Sequence, residues 1–402
     1  MKEKCAELAS IKPDGSVSVL VFSTLVLCAA FAEVSTGLLA PAMPILGSLY
    51  EKRPATVQLT IVSFAIMFAV GQLFFGPFSD RNGRRKALLI GAVLTLIGSV
   101  SASLSDSIWG IVLSRAIQGL GAASGYVVSR AIIRDIYGAT GAAKAMALMF
   151  TMMSASFLAA PLVGGVLLDF GGWRAGFILA SIAAAVWLAS SIFIIPETRV
   201  VAPDSKVDPI YSVYLRLFRD RDFLSYLITH SIAYGGVYCF VAGAPYLFIR
   251  GYGLKPASYG MIAATAMSGF LIGSLIARYT SLKWEMDRAI LISLATMICA
   301  SVISVALERL GLLTVFILVT VEFVYWFGTG FLAPNTAAGV MISYPHETGA
   351  AAAALGFVQM CCAGTVASVQ GVIYDGTAFP MVGGQMLLSL TALVLWRYFS
   401  RK

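Results

Sequence analysis

The chain reads as an all-α integral membrane protein of twelve transmembrane helices. Two observations carry this. Of its 402 residues 59% are hydrophobic and 12% charged, far from the roughly 25% charged of soluble domains. The apolar residues also gather into runs of about 20, the length that crosses a bilayer's hydrocarbon. The runs predict helices near 17–39, 56–75, 87–105, 109–131, 142–168, 174–195, 223–247, 257–278, 288–306, 312–333, 349–371 and 381–399.

Between the second and third runs stands Gly76-Pro77-Phe78-Ser79-Asp80-Arg81-Asn82-Gly83-Arg84-Arg85-Lys86, expected as a tight basic turn. Lipid solvates neither charge nor open backbone, so this turn lies in water at a membrane surface. Lys and Arg collect in short cytoplasmic loops, which makes that surface the cytoplasmic one. With both termini inside, the outer loops carry only Lys52, Arg53, Arg174, Arg250, Lys255 and Arg309, and Arg115 falls within a span. The other cations sit on the inner side. The net charge of +8 is therefore a topology signal, and no basic face suggests nucleic acid as a partner. Lys2, Lys4 and Lys12 precede a run too long for a signal peptide, so a retained first helix is expected. The six cysteines show no metal spacing; neither a metal nor another cofactor is expected.

The longest polar interruption, 196–222, divides the chain into an N-terminal segment (1–16), a first six-helix unit (17–195), a cytoplasmic linker and a second six-helix unit (223–402). Arg216, Arg219 and Arg221 with Leu215, Leu217 and Phe218 suggest a short amphipathic linker helix. Gly273, Arg278, Lys283, Asp287 and Arg288 form a weaker echo of the first basic turn, as two related halves would.

The turn motif resembles the signature loop of the major facilitator superfamily. That resemblance implies two pseudo-symmetric six-helix bundles and transport by alternating access, with Gly76, Asp80, Arg81, Gly83 and Arg84 in gating. Arg115-Ala116-Ile117-Gln118-Gly119 resembles the family's Arg-x-x-Gln-Gly proton-coupling motif. Span five, with Ser156, Ala160, Pro161, Gly164 and Gly165, is similar to its antiporter motif, although Ser156 and Ala160 replace two glycines. Pro161, Gly164 and Gly165 are thereby gating candidates. Ala244-Pro245-Tyr246, Tyr252-Gly253-Leu254 and His346-Glu347-Thr348-Gly349 narrow the resemblance to the drug:proton antiporters of the bicyclomycin and chloramphenicol resistance branch. This implies a monomer in a bacterial inner membrane exchanging small amphiphilic compounds for protons. That branch commonly carries an acid where this chain has Gly37, and Glu33 stands one turn earlier.

Ionisable side chains well inside spans are Glu33, Arg115, His230 and Glu322, one per third helix. Such charges are costly in hydrocarbon and persist where they face water, each other or a substrate. Counted from the predicted helix ends, Glu33 and Arg115 both lie about 9 Å below the outer surface. They could meet as a proton-coupling pair or as a permanent ion pair. Glu322, among Tyr325 and Trp326, suits a lipophilic cation, or a carboxyl bonded to a neighbouring helix. His230 reads as a cavity residue or an interhelical donor, and Tyr126 as cavity lining or packing. Gln118, Tyr234 and Tyr238 complete the predicted cavity. Two histidines and no nucleophile–base pair argue against an intramembrane enzyme. A dedicated exporter of one metabolite, such as a siderophore or sugar-like compound, fits the same residues.

Overall fold

The structure is a computed structural model that describes residues 19–199, 210–280, 284–342, 344 and 348–400. Twelve helices among them are long and apolar enough to cross a membrane: α1 Val19–Leu49, α2 Pro54–Asn82, α3 Arg84–Ser103, α4 Ile108–Gly138, α5 Lys144–Gly171, α6 Arg174–Phe193, α7 Arg221–Gly251, α8 Pro256–Thr280, α9 Met286–Arg309, α10 Val315–Ile342, α11 Gly349–Ile373 and α12 Phe379–Phe399. They form two six-helix bundles. The end bearing the α2–α3 turn is called here the basic end, and the other the far end.

Two boundaries differ from the sequence expectation in ways that matter. The first helix does not stop at residue 39. A 3-10 turn at Ala40–Ala42 takes up Pro41, and the helix resumes at Met43–Leu49 with Pro44 in its first turn. Proline is tolerated in a first turn, where its missing N–H would have no partner. The expected ten-residue basic turn is likewise almost entirely helical. α2 runs through Asn82, α3 starts at Arg84, and Gly83 alone reverses the chain at φ 100° and ψ 146°.

That conformation is nearly closed to residues with a Cβ. The space is closed as well, since a Cβ on Gly83 would stand 2.4 Å from Oε2 of Glu197. Glu197, in the segment after α6, accepts hydrogen bonds from the backbone N–H of Arg84 (2.9 Å) and Arg85 (3.2 Å). It thereby caps the positive end of α3. Arg84 bonds Asp80 at 2.6 Å and Asp135 of α4 at 3.0 Å, and Arg85 donates to the carbonyls of Ser191 and Ile192 on α6. The turn is thus tied to α4 and α6. Gly83→Ala is expected to cost about 1–3 kcal/mol and to lower the thermal midpoint of the purified protein; an unchanged midpoint would refute the cap.

The linker helix spans Ile210–Leu217, with Leu217 buried against Phe223 and Leu227 of α7. Residues 200–209 of the linker fall outside the described residues, as do Cys5, Lys283, His346 and Glu347.

Small residues bring the bundles together. Along the α2–α11 seam, Gly371 faces Ala55 and Gln58, Gly364 faces Ala65 and Ile66, and Gly356 faces Gln72. At the far end α5 and α8 touch backbone to backbone. A Cβ on Gly165 would meet the Pro256 carbonyl at 2.3 Å, and one on Gly260 would meet the Pro161 carbonyl at 2.6 Å. Among the described residues three hydrogen bonds cross between bundles in this half: Gln58 to the Ala242 carbonyl at 2.7 Å, the Tyr246 hydroxyl to the Met43 carbonyl at 3.4 Å, and the Ala257 N–H to Asp169 at 3.2 Å. The far end is therefore closed.

Candidate functional site

Between the bundles lies a narrow cavity of about 30 Å³, room for ordered water but for a small molecule only once the bundles part further. α1, α2 and α5 contribute Glu33, Thr36, Phe64, Phe68, Phe157 and Pro161. α7, α8 and α11 contribute Tyr234, Tyr238, Tyr259, Met267 and Met360. Its wall is aromatic and thioether-rich, with few polar groups. Two of those groups are orphans, because the Glu33 Oε2 and the Tyr259 hydroxyl are buried without a hydrogen-bond partner. A cavity wall that presents a carboxylate and a phenol with bonding capacity to spare is equipped to hold a proton, a cation or a donor-bearing molecule.

Arg115 is fully buried and does not meet Glu33. Its guanidinium donates to Ser35 (2.7 Å) and Gln118 (2.5 Å), to Thr36 (3.3 Å) and to the Thr60 carbonyl (3.3 Å). It also lies 4.0 Å over the Phe64 ring. Gln118 passes the network to Ser99 at 2.7 Å. The expected pairing fails on rotation, not depth: Ser35, which Arg115 grips, is only about 3 Å along α1 from Glu33 but about 200° around it. Arg115 therefore fastens α1 to α2 and α4 from behind the wall, screened from the cavity by Phe64.

Arg130, whose charge counts it with the cations of the basic surface, also lies in the bundle. α4 extends to Gly138, so Arg130 stands within the helix. It donates to the Tyr126 carbonyl at 2.9 Å and stacks over the Tyr126 ring at 3.9 Å. Tyr126 in turn packs on Phe68, ring centroids 5.6 Å apart, which places it one layer behind the lining. The i,i+4 spacing of Tyr126 and Arg130 was the available signal.

His230 lies between α7, α10 and α11, its Nδ1 2.8 Å from the Thr336 hydroxyl and its Nε2 3.3 Å from Oε1 of Gln359. It stacks parallel on Tyr234, so it backs a lining residue and is not itself one. Glu322 and Trp326 also lie outside the lining. Glu322 accepts a hydrogen bond from Gln385 of α12 at 3.0 Å, and Trp326 packs against Phe157, Phe240 and Phe270. Here α10 begins at Val315, which puts Glu322 nearer the far end than the expected midplane.

Of the gating candidates, Asp80 and Arg84 form the network of the basic end and Arg81 is exposed. Gly76 faces Val127 of α4 at ordinary contact distance, Gly164 meets the backbone of Leu38, and Pro161 and Gly165 form the α5–α8 contact. Among the described residues no cluster of His, Cys, Asp and Glu could hold a metal.

Residues 25–368 match the sequence model of the Major Facilitator Superfamily. The chain is 27% identical over 374 residues to an uncharacterized MFS-type transporter of Bacillus subtilis, covering 92% of each protein. It is 27% identical over 368 residues to multidrug resistance protein D of Escherichia coli, covering 90% of this chain and 91% of that one. With a bicyclomycin resistance protein homolog of Haemophilus influenzae it shares 26% over 347 residues, covering 84% and 86%. Among solved structures, the fold matches the partially occluded, inward-open xylose transporter of Escherichia coli with a TM-score of 0.74 at 14% identity, covering 94% of this chain and 97% of that one. Twelve spans in two bundles, an interbundle cavity and a family model covering most of the chain converge on one assignment: this is a transporter, not an enzyme, and it belongs to the Major Facilitator Superfamily.

Proposed function

We propose that the protein exports small amphiphilic compounds in exchange for protons, by alternating access. The observation that carries this reading is the Glu33 carboxyl, facing an aromatic interbundle cavity with one oxygen unpartnered. An acid in such a place binds a proton or a cationic cargo, and the two compete for it. Aromatic faces and methionine side chains suit apolar, often cationic molecules of varied shape. The names of the relatives, multidrug, bicyclomycin and chloramphenicol resistance proteins, support a drug-like cargo.

In this reading 17–195 and 223–402 are the moving bodies, 196–222 joins them, and a single chain suffices. The basic end faces the cytoplasm of a bacterial cell with both termini inside. The far end is then the outer gate, carried by Pro161, Gly164 and Gly165, and Asp80, Arg81, Gly83 and Arg84 belong to the inner one. Arg115 and Gln118 position α1. Tyr126, Tyr234 and Tyr238 surround Glu33, with His230 behind Tyr234.

The test is ethidium accumulation in bacteria lacking their own efflux pumps. Expression should lower accumulation several-fold, and a protonophore should restore it. Equal accumulation with and without the protein for ethidium, chloramphenicol and bicyclomycin alike would remove drug export as its activity.

A further inference from the structure

Glu322 holds, in the second bundle, the register that Arg115 holds in the first. Each stands on the fourth helix of its six-helix bundle, Arg115 seven residues after Ile108 and Glu322 seven after Val315. The surroundings differ. Arg115 spends its donors on four partners, whereas Glu322, 1% exposed, has one: Gln385 donates to Oε2, and Oε1 is buried without a partner. Among the described residues no Lys, Arg or His forms an ion pair with Glu322. The titratable groups close enough to act on it are Cys239 of α7 and Tyr325 of its own helix; Gln385 faces it from α12 and, beyond Cys239, α11 presents Gln370.

A carboxylate buried among helices with neither a cation nor a second donor is expensive. The same group carrying a proton is not. One turn along the same face of α10, Trp326 packs against Phe157, which lines the cavity from the other bundle, and against Phe240 and Phe270. Trp326 thus joins the turn of α10 that bears Glu322 to a residue of the cavity wall.

We propose that Glu322 is a second proton-binding site, closed off from the central cavity by Trp326. The carboxylate takes one proton onto Oε1 and becomes a neutral acid, Gln385 keeps its bond to Oε2, and no other bond changes. The proton enters or leaves when the Phe157–Trp326 contact between the bundles parts. Coupling of this site to cargo rests on the exporter reading above, but its proton binding does not.

Infrared difference spectroscopy of the purified full-length protein tests it without a cargo, because a protonated carboxyl has a carbonyl band distinct from carboxylates. At neutral pH the band of Glu322 should be present in wild type, absent in Glu322→Gln and retained in Glu33→Gln. After transfer to deuterated water it should shift about tenfold more slowly than solvent-accessible carboxyls, with Trp326→Ala removing most of that delay. Should Glu322→Gln not fold, Trp326→Ala against wild type decides alone. No carboxyl band lost in Glu322→Gln, or no slow band for Trp326→Ala to accelerate, overturns the proposal. Loss of proton-driven transport in Glu33→Gln with the slow band intact bears on the exporter reading alone.

Discussion

Glu33→Gln is expected to reduce pH-gradient-driven ethidium efflux at least about tenfold while leaving protein abundance and gradient-independent exchange of cargo near wild type. Glutamine keeps the size and the polar atoms of the side chain but cannot ionise. An acid at this depth changes its preference between charged and neutral forms as the surroundings change from water to protein, by about 3 kcal/mol on insertion scales. That difference corresponds to about a hundredfold change in proton occupancy. The sign follows directly. The carboxylate binds a proton where the cavity meets the more acidic side and gives it up, to cargo or to water, on the other. Glutamine makes the cavity indifferent to pH, so the variant's flux should no longer depend on the gradient's direction. Everted vesicles given a pH step and followed by ethidium fluorescence measure this. An unaltered response would remove Glu33 from coupling and return attention to Arg130 and the tyrosines around it.

Gly165→Leu is expected to hold the far end open and bring transport to background. The closest atom to the added Cβ is a backbone carbonyl, that of Pro256 at 2.3 Å, with Ala257 Cα at 3.0 Å. A rotamer change cannot relieve a contact with main chain. Overpacking of this kind costs about 1–3 kcal/mol, which shifts a two-state population about five- to hundredfold. Spin labels at Leu104 and Leu310, exposed far-end positions on opposite bundles, should report a longer mean distance than in the parent protein. Gly76→Ala is the companion, since its Cβ would find only Val127 at 3.8 Å and helix propensity favours alanine. Labels that stay at the parent distance in Gly165→Leu would show that α8 yields locally, and the α5–α8 contact would lose its standing as a gate.

The number of spans, the two bundles and the basic connection between the second and third spans were legible because lipid imposes length and charge rules on every helix independently. The site was legible in part. Arg115 and Gln118 announced themselves by being polar inside an apolar run, but which face of α1 they would hold depends on rotation about a helix whose end the prolines at 41 and 44 obscured. Glu33 was visible for the same reason, and its isolation from Arg115 was not. Gln385 and Glu197 escaped notice for another cause. A lone glutamine in a span carries little signal, and Glu197 reaches the start of α3 across more than a hundred residues of intervening chain, a proximity that no local pattern encodes.

The α2–α11 seam has a mechanical corollary. Gly356, Gly364 and Gly371 present one partner with almost no side chain to interlock. Only the Gln58 and Gln72 side chains of α2 reach into the gaps over Gly371 and Gly356, so apart from the Gln58–Ala242 hydrogen bond, turning one bundle against the other along this line has few interlocking groups to disengage. The seam can serve as an axle, staying in touch while the margins on either side swing, and bulky side chains at those three positions would act as teeth that jam it.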